Sequence, residues 1–165
     1  MRRSDHPGHL AKPDTLSVVS HSSSVDDFAE LPSVEFAFPG PLRDQLVSAI
    51  LDGRKVSTTG LVLAYEVEQE RLPEAGDRFL VVDSNGLAVA VIEDTEVTVV
   101  PLREVDLVHV EDEGEGHLTV AEWRAAHEAF WRSDEMLAVL GNPAFTVDDA
   151  TLVVLERFTL VARLA

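Results

Sequence analysis

The segment Gly53-Arg54-Lys55-Val56-Ser57-Thr58-Thr59-Gly60 puts two cations beside three hydroxyl side chains, between two glycines. A lysine in such a setting can hold a phosphate or stabilise a developing oxyanion. It can act as a base where burial depresses its pKa. Arg54 is a second candidate anion contact. Thr58 becomes a nucleophile only with a base in hydrogen-bond reach, since a hydroxyl is inert at its own pKa. Tyr65, the only tyrosine, follows the cationic turn and could stack on a nucleobase. On spacing alone the same residues also read structurally, with Thr58 and Thr59 as strand residues and Arg54 and Lys55 near a helix C-terminus, where the dipole favours cations.

A second concentration of chemistry is the acidic stretch around Glu111-Asp112-Glu113-Gly114-Glu115-Gly116-His117. With His109 it contains ligand types suited to a hard or borderline cation. The spacing fits no recognised metal loop, so it reads as a solvated acidic loop and no metal is expected. No cofactor motif occurs either, and none is expected. Trp123 and Phe130 share a helical face with Ala126 and His127, which favours core packing over base stacking. His127 reads as a satisfied buried histidine.

The elements that would position these groups follow from periodicity. Leu42, Leu46, Val47 and Ile50 give one apolar face to a helix from about Pro41 to Asp52, with Pro41 in its first turn and Gly53 as its C′ residue. The run Leu61 to Tyr65 reads as β. Arg78 to Asp83 and Leu87 to Ile92 read as a hairpin around Ser84-Asn85-Gly86. Glu96 to Val100 continues the β pattern, and Arg103 to His109 is a short segment. Thr119 and Glu122 form a capping box before the Trp123 helix. Asp134 to Leu140 reads as a short helix, and Thr151 to about Arg163 as a long final strand. Strands with inserted helices and no βαβ rhythm predict an α+β fold with a mainly antiparallel, barrel-like sheet flanked by helices.

Composition bounds the rest. The chain has 165 residues, 45% of them hydrophobic, enough for one domain with a core. The first 30 residues, with His6, His9, His21 and a serine run, read as a disordered or loosely docked tail, leaving residues 31–165 as the domain. There is no cysteine, which excludes disulfides and thiolate zinc. No apolar run is long enough to span a bilayer or form a signal peptide core, so a cytoplasmic protein with no membrane partner is expected. The net charge is −17, from 13 Lys+Arg and 30 Asp+Glu. Residues 31–165 hold 10 of those cations and 25 of the anions, so the acidity belongs to the domain. Such a field opposes a nucleic-acid coat, and no DNA partner is expected, although a local cationic cleft remains open to RNA. The acidic surface also suits a basic protein partner.

The order of segments resembles the ASCH family, a branch of the PUA-like β-barrels. The residues that carry the likeness are Gly53 to Thr59, the Leu72-Pro73-Glu74-Ala75-Gly76-Asp77 turn, Val91 to Val97, Glu113-Gly114-Glu115-Gly116, the helix with Trp123, Arg124 and His127, and the closing strand around Val153 to Phe158. The likeness covers roughly Val34 to Ala165 and is strongest to the longer bacterial members described as RNA-binding. It implies a small barrel with a cleft floored by strands and walled by helices, and an RNA, nucleotide or nucleoside ligand. One branch of short members hydrolyses the amide of acetylated cytidine nucleosides, and some members are ribonucleases. The catalytic set of that amidohydrolase branch falls here on Lys55, Thr58 and Glu115, with Glu113 the alternative if the loop alignment shifts. Together with the residue reading above, the candidate ligand contacts are Arg54, Lys55, Thr58, Thr59, Tyr65 and Glu113. This chain departs from that branch in its length and in the apolar run after Gly60.

Overall fold

The computed structural model describes residues 25–164. The tail expected over the first 30 residues therefore lies almost wholly outside the described residues, as do His6, His9 and His21. Residues Val25–Phe28 form a single 3-10 turn.

Five strands make one sheet: β1 (Ser33–Val34), β2 (Ser57–Leu61), β3 (Arg78–Val82), β4 (Ala88–Pro101) and β5 (Leu152–Arg163). Their spatial order is β1-β3-β4-β5-β2. Only β1 and β3 run parallel, so the sheet is mainly antiparallel. The two edges, β1 and β2, do not pair with each other among the described residues, so the sheet is open where the resemblance implied a barrel. The local reason is visible at both edges. β1 is two residues long and carries almost no ladder, and β2 ends where its chain turns into a helix.

The helices are α1 (Pro41–Leu51), α2 (Val62–Glu68), α3 (Leu107–Asp112), α4 (Val120–Trp131) and α5 (Asp134–Leu140). None among the described residues is long and apolar enough to cross a membrane. Alternation along β5 divides the core. Val153 faces a cluster with Trp123, Trp131, Leu102 and Val110 on the side of α3, α4 and α5, whereas Phe158 faces Phe36, Val47, Ile50, Val81 and Ile92 beside α1.

Three sequence expectations are corrected. The helix α1 is turned by about one position: Leu42 is 48% exposed and Arg43 only 1% exposed. Arg43 is admitted because its guanidinium donates to the Ala37 carbonyl at 2.6 Å and pairs with Glu35 at 3.3 Å, clamping a turn in which Ala37 has a φ of 60°. The apolar run after Gly60 is mostly helix, not strand, because β2 starts four residues earlier and α2 begins at Val62. A run that short has no period that separates the two states. The acidic stretch is not a solvated loop. Asp106 caps α3 by accepting from the His109 amide at 2.9 Å, and that helix carries His109, Val110 and Glu113 into the interior.

Candidate functional site

Helix α1 ends as its sequence indicates. Gly53 takes a φ of 77°, and the amides of Arg54 and Lys55 both bond the Ala49 carbonyl, at 2.9 and 3.1 Å. The chain then passes between two neighbours. The Val56 amide donates to the Asp112 carbonyl at 2.8 Å, and the Phe158 amide donates to the Val56 carbonyl at 2.9 Å. Gly114 presses on the same segment with a φ of 64°; a Cβ there would lie 2.2 Å from the Arg54 carbonyl oxygen. Only glycine permits that approach.

This packing turns Lys55 inward, to 1% exposure. Its Nζ lies 3.1 Å from Glu115 Oε1, donates to the Glu113 carbonyl at 3.4 Å, and stands 5.8 Å from the centroid of the Phe36 ring. The ammonium bonds no helix carbonyl of α1, so it is no dipole cap. Arg54 points the other way, exposed, and pairs with Asp52 at 3.1 Å. Lys55 and Glu115 thus come together, and the Arg54 side chain stands apart from them.

Glu113 is fully enclosed, and four groups meet its carboxylate. Oε1 accepts from Thr59 Oγ1 at 2.5 Å and from His109 Nε2 at 3.1 Å. Oε2 accepts from Trp123 Nε1 at 2.9 Å and faces His127 Nε2 at 3.2 Å. Burial alone would raise its pKa; hydrogen bonds from His109 and His127 and the charge of Lys55 hold it well below the usual carboxylate range. His127 stacks on Trp123 with centroids 4.2 Å apart, and its Nδ1 meets the Trp123 carbonyl at 2.9 Å. A carbonyl and a carboxylate both only accept, an arrangement that favours the doubly protonated ring. Burial pulls His127 down in pKa, but the hydrogen bond and charge of Glu113 outweigh it and raise the value. Glu113, Glu115 and His127 have ligand atoms within 4.8 Å of one another, but Lys55 and the imidazolium already occupy their carboxylates.

The threonines part company. Thr59 spends its hydroxyl on Glu113 and His109. Thr58 opposes Glu156 on β5 and so faces the other side of the sheet. Its hydroxyl makes no hydrogen bond among the described residues, with Glu115 or otherwise. Tyr65 lies over Gly60, two positions along the same face; a Cβ on Gly60 would be 3.4 Å from its ring. Burial, then the charges of Glu156 and Asp94, raise the Tyr65 pKa, so the phenol keeps its proton.

Asp94 and Glu156 belong to this neighbourhood and escaped the sequence reading. The signal was present: Asp94 is in phase with Ala90 and Ile92, and Glu156 with Val154 and Phe158, all buried. A carboxylate at the inward phase of an apolar strand marks either a partner or a function. A surface depression of about 200 Å3 opens beside α3, lined by Glu96, Asp106, His109, Glu156 and Arg157 among others, so it adjoins the site through His109 and Glu156. Its acidic wall, and the commitment of Arg157 to Asp112, make it a poorer place for an anion than the surroundings of Lys55.

A family model described as the ASCH domain matches residues 35–162. The crystal structure of a protein from Enterococcus faecalis superposes with a TM-score of 0.70 at 26% identity, covering 83% of this chain and 82% of that chain. The ASCH domain from Lactobacillus crispatus gives a TM-score of 0.69 at 26% identity, covering 79% of each chain. No functionally curated protein matches the chain.

Proposed function

The chain belongs to the ASCH domain family, and from that premise we propose that it binds RNA or a nucleotide in a cleft built around Lys55. The observation that carries this reading is the buried ammonium. A lysine has three N–H donors. Two are directed at Glu115 and the Glu113 carbonyl, leaving one with no partner among the described residues. In a domain of such negative charge, a desolvated cation with a spare donor is the natural seat for a phosphate or a nucleobase oxygen. Thr58 and Tyr65 would line the same cleft from β2 and α2, and Glu115 would orient the lysine. Thr59 and Glu113 would act from beneath, by holding the turn that carries Glu115.

The test is a titration of short single-stranded RNAs and of mononucleotides at low salt, against the wild type and Lys55→Met, which keeps most of the buried stem. Binding should weaken at least tenfold in the variant, the loss of a charge-assisted hydrogen bond of about 1.5 to 3 kcal/mol. No binding by the wild type to either ligand class at high protein concentration rejects the reading.

A second reading is a small hydrolase acting on an acetylated cytidine or on RNA through Lys55, Thr58 and Glu115. The 3.1 Å contact between Lys55 and Glu115 favours it, because an ammonium and a carboxylate in contact can pass a proton. Incubation with acetylated cytidine and with single-stranded RNA decides it. Turnover should vanish in Lys55→Ala and Glu115→Gln, and turnover that survives both substitutions together removes these residues from the chemistry.

A further inference from the structure

Two carboxyl groups meet on the sheet face that carries Thr58. Asp94 on β4 opposes Phe158, and Glu156, two residues before Phe158 on β5, opposes Thr58. All four therefore share one face. Asp94 is 1% exposed, and no N–H or O–H among the described residues reaches either of its carboxylate oxygens. Its immediate neighbour is the half-buried Glu156 carboxyl. Two ionised carboxylates only accept and only repel. A single proton between them removes both the repulsion and the orphaned acceptor.

We propose that Asp94 and Glu156 share one proton at neutral pH, and that this proton, by cancelling one negative charge beside Lys55, lets a phosphate approach the ammonium. The proposal rests on the reading that Lys55 seats a nucleotide. Burial, followed by the charge of Asp94, pushes Glu156 up to about 8, and Asp94 is itself raised to about 6, chiefly by burial. The other groups that face the pair are Lys55, which lowers Glu156, Asp77 before β3, which raises both, and the un-ionised Tyr65 on α2. The consequence is electrostatic. With Glu115, Asp94 and Glu156 all ionised, Lys55 would be outnumbered and a phosphate would be repelled. The shared proton removes one of those charges.

The probe is an adenine 2′-O-methyl dinucleotide, whose bases and single phosphodiester do not titrate between about pH 6 and 9, compared with adenosine, which carries no phosphate. For the wild type, dinucleotide affinity should fall as pH rises through the Glu156 value, approaching tenfold per pH unit above it, while adenosine affinity stays flat. In Glu156→Gln, whose amide is uncharged at every pH, the slope should disappear. That variant leaves His127 in place, so a slope that persists belongs to His127 or another group and overturns the proposal. A second measurement needs no ligand. Carbon NMR of the side-chain carboxyls should show Glu156 titrating near neutrality in the wild type and at lower pH in Asp94→Asn; titration in the ordinary carboxylate range overturns the proposal. Dinucleotide binding without a pH slope rejects the shared proton alone. Absence of binding by any nucleotide at any pH rejects both it and the Lys55 reading.

Discussion

Glu113 carries the largest local burden of any side chain in the site, because every group around it depends on its charge. Its carboxylate keeps His127 protonated, holds Thr59 and His109, and anchors the indole of Trp123. Glu113→Gln removes the charge that holds His127 protonated and leaves the enclosed donors around it with a poorer acceptor, so the expected loss is about 3 kcal/mol in urea unfolding. The pH dependence has a defined sign. Glu113 is lowered from 4.5, so its contribution is present above that value and fades as pH falls through the lowered one. His127 is raised from 6.5, so its contribution is complete below 6.5 and fades as pH rises through the raised value. The contribution of this ion pair should therefore be greatest between about pH 4.5 and 6.5, and Glu113→Gln should remove both of its limbs; a variant with the wild-type profile rules out the ion pair as their source. The raised carboxyl of Glu156 makes stability fall from about pH 4.5 to about 8, because over that range the native state holds a proton that the unfolded chain has released, so the optimum of the whole domain lies toward the acidic end of the ion-pair window. Lys55 and Glu115 could be matched from the sequence by resemblance alone. The enclosure of Glu113 could not, because a string of acidic residues carries no sign of which one a short helix will turn inward.

At the scale of elements, the site exists because the acidic turn and the end of α1 are docked backbone to backbone. Gly114 is the point of contact, with a positive φ and no room for a side chain. Gly114→Ala adds left-handed strain and drives a methyl group into the Arg54 carbonyl, against backbone that has little freedom to move. We expect a loss of about 3 kcal/mol, read as a lower urea midpoint at unchanged m-value, together with weaker nucleotide binding as Glu115 leaves Lys55. Retention of wild-type stability means that the turn has another way to pack. Gly53, with no Cβ contact to lose, is the useful comparison: alanine there costs only its left-handed conformation, about 1 kcal/mol. Of the helices with side-chain caps, α4 and α5 were legible in advance, whereas α3, capped by Asp106, was not. Thr119 accepts from the Glu122 amide at 3.1 Å, although the Glu122 side chain reaches back to Leu118 at 2.8 Å, one residue short of the Thr119 amide. The end of β2 was not legible, because Leu61 to Tyr65 carries no cap and no glycine after the switch. Partial burial of Leu63 and Ala64 against the core cluster that includes Trp123 decides that stretch in favour of helix. The inward turn of Arg43 was hidden for a related reason: its partners are backbone carbonyls, which have no signature in the sequence.

At the scale of the molecule, the net charge of −17 sets how any nucleic acid must arrive. A protein that coats RNA with lysines gains on-rate as salt is lowered. This domain should behave in the opposite way. At an ionic strength of about 0.01 M the screening length is about 30 Å, so the ligand meets the whole anionic field; at about 0.15 M it is about 8 Å, and only the groups near the cleft are felt. The association rate constant for a short single-stranded RNA should therefore rise with salt over that range. The dissociation rate is set by partly buried contacts at Lys55, which salt screens weakly, and should change less. Equilibrium affinity combines this gain with the release of counterions from RNA, which costs a slope of about −0.7 in log K against log salt for each phosphate neutralised. With one buried ammonium as the anchor, the two effects oppose at similar size and the net salt dependence should be shallow. Stopped-flow association at several salt concentrations separates them. An association rate that falls steeply with salt means that a cationic surface, not the Lys55 cleft, captures the RNA. A rate that rises, with affinity lost in Lys55→Met, places recognition at a single desolvated charge within an otherwise repulsive surface.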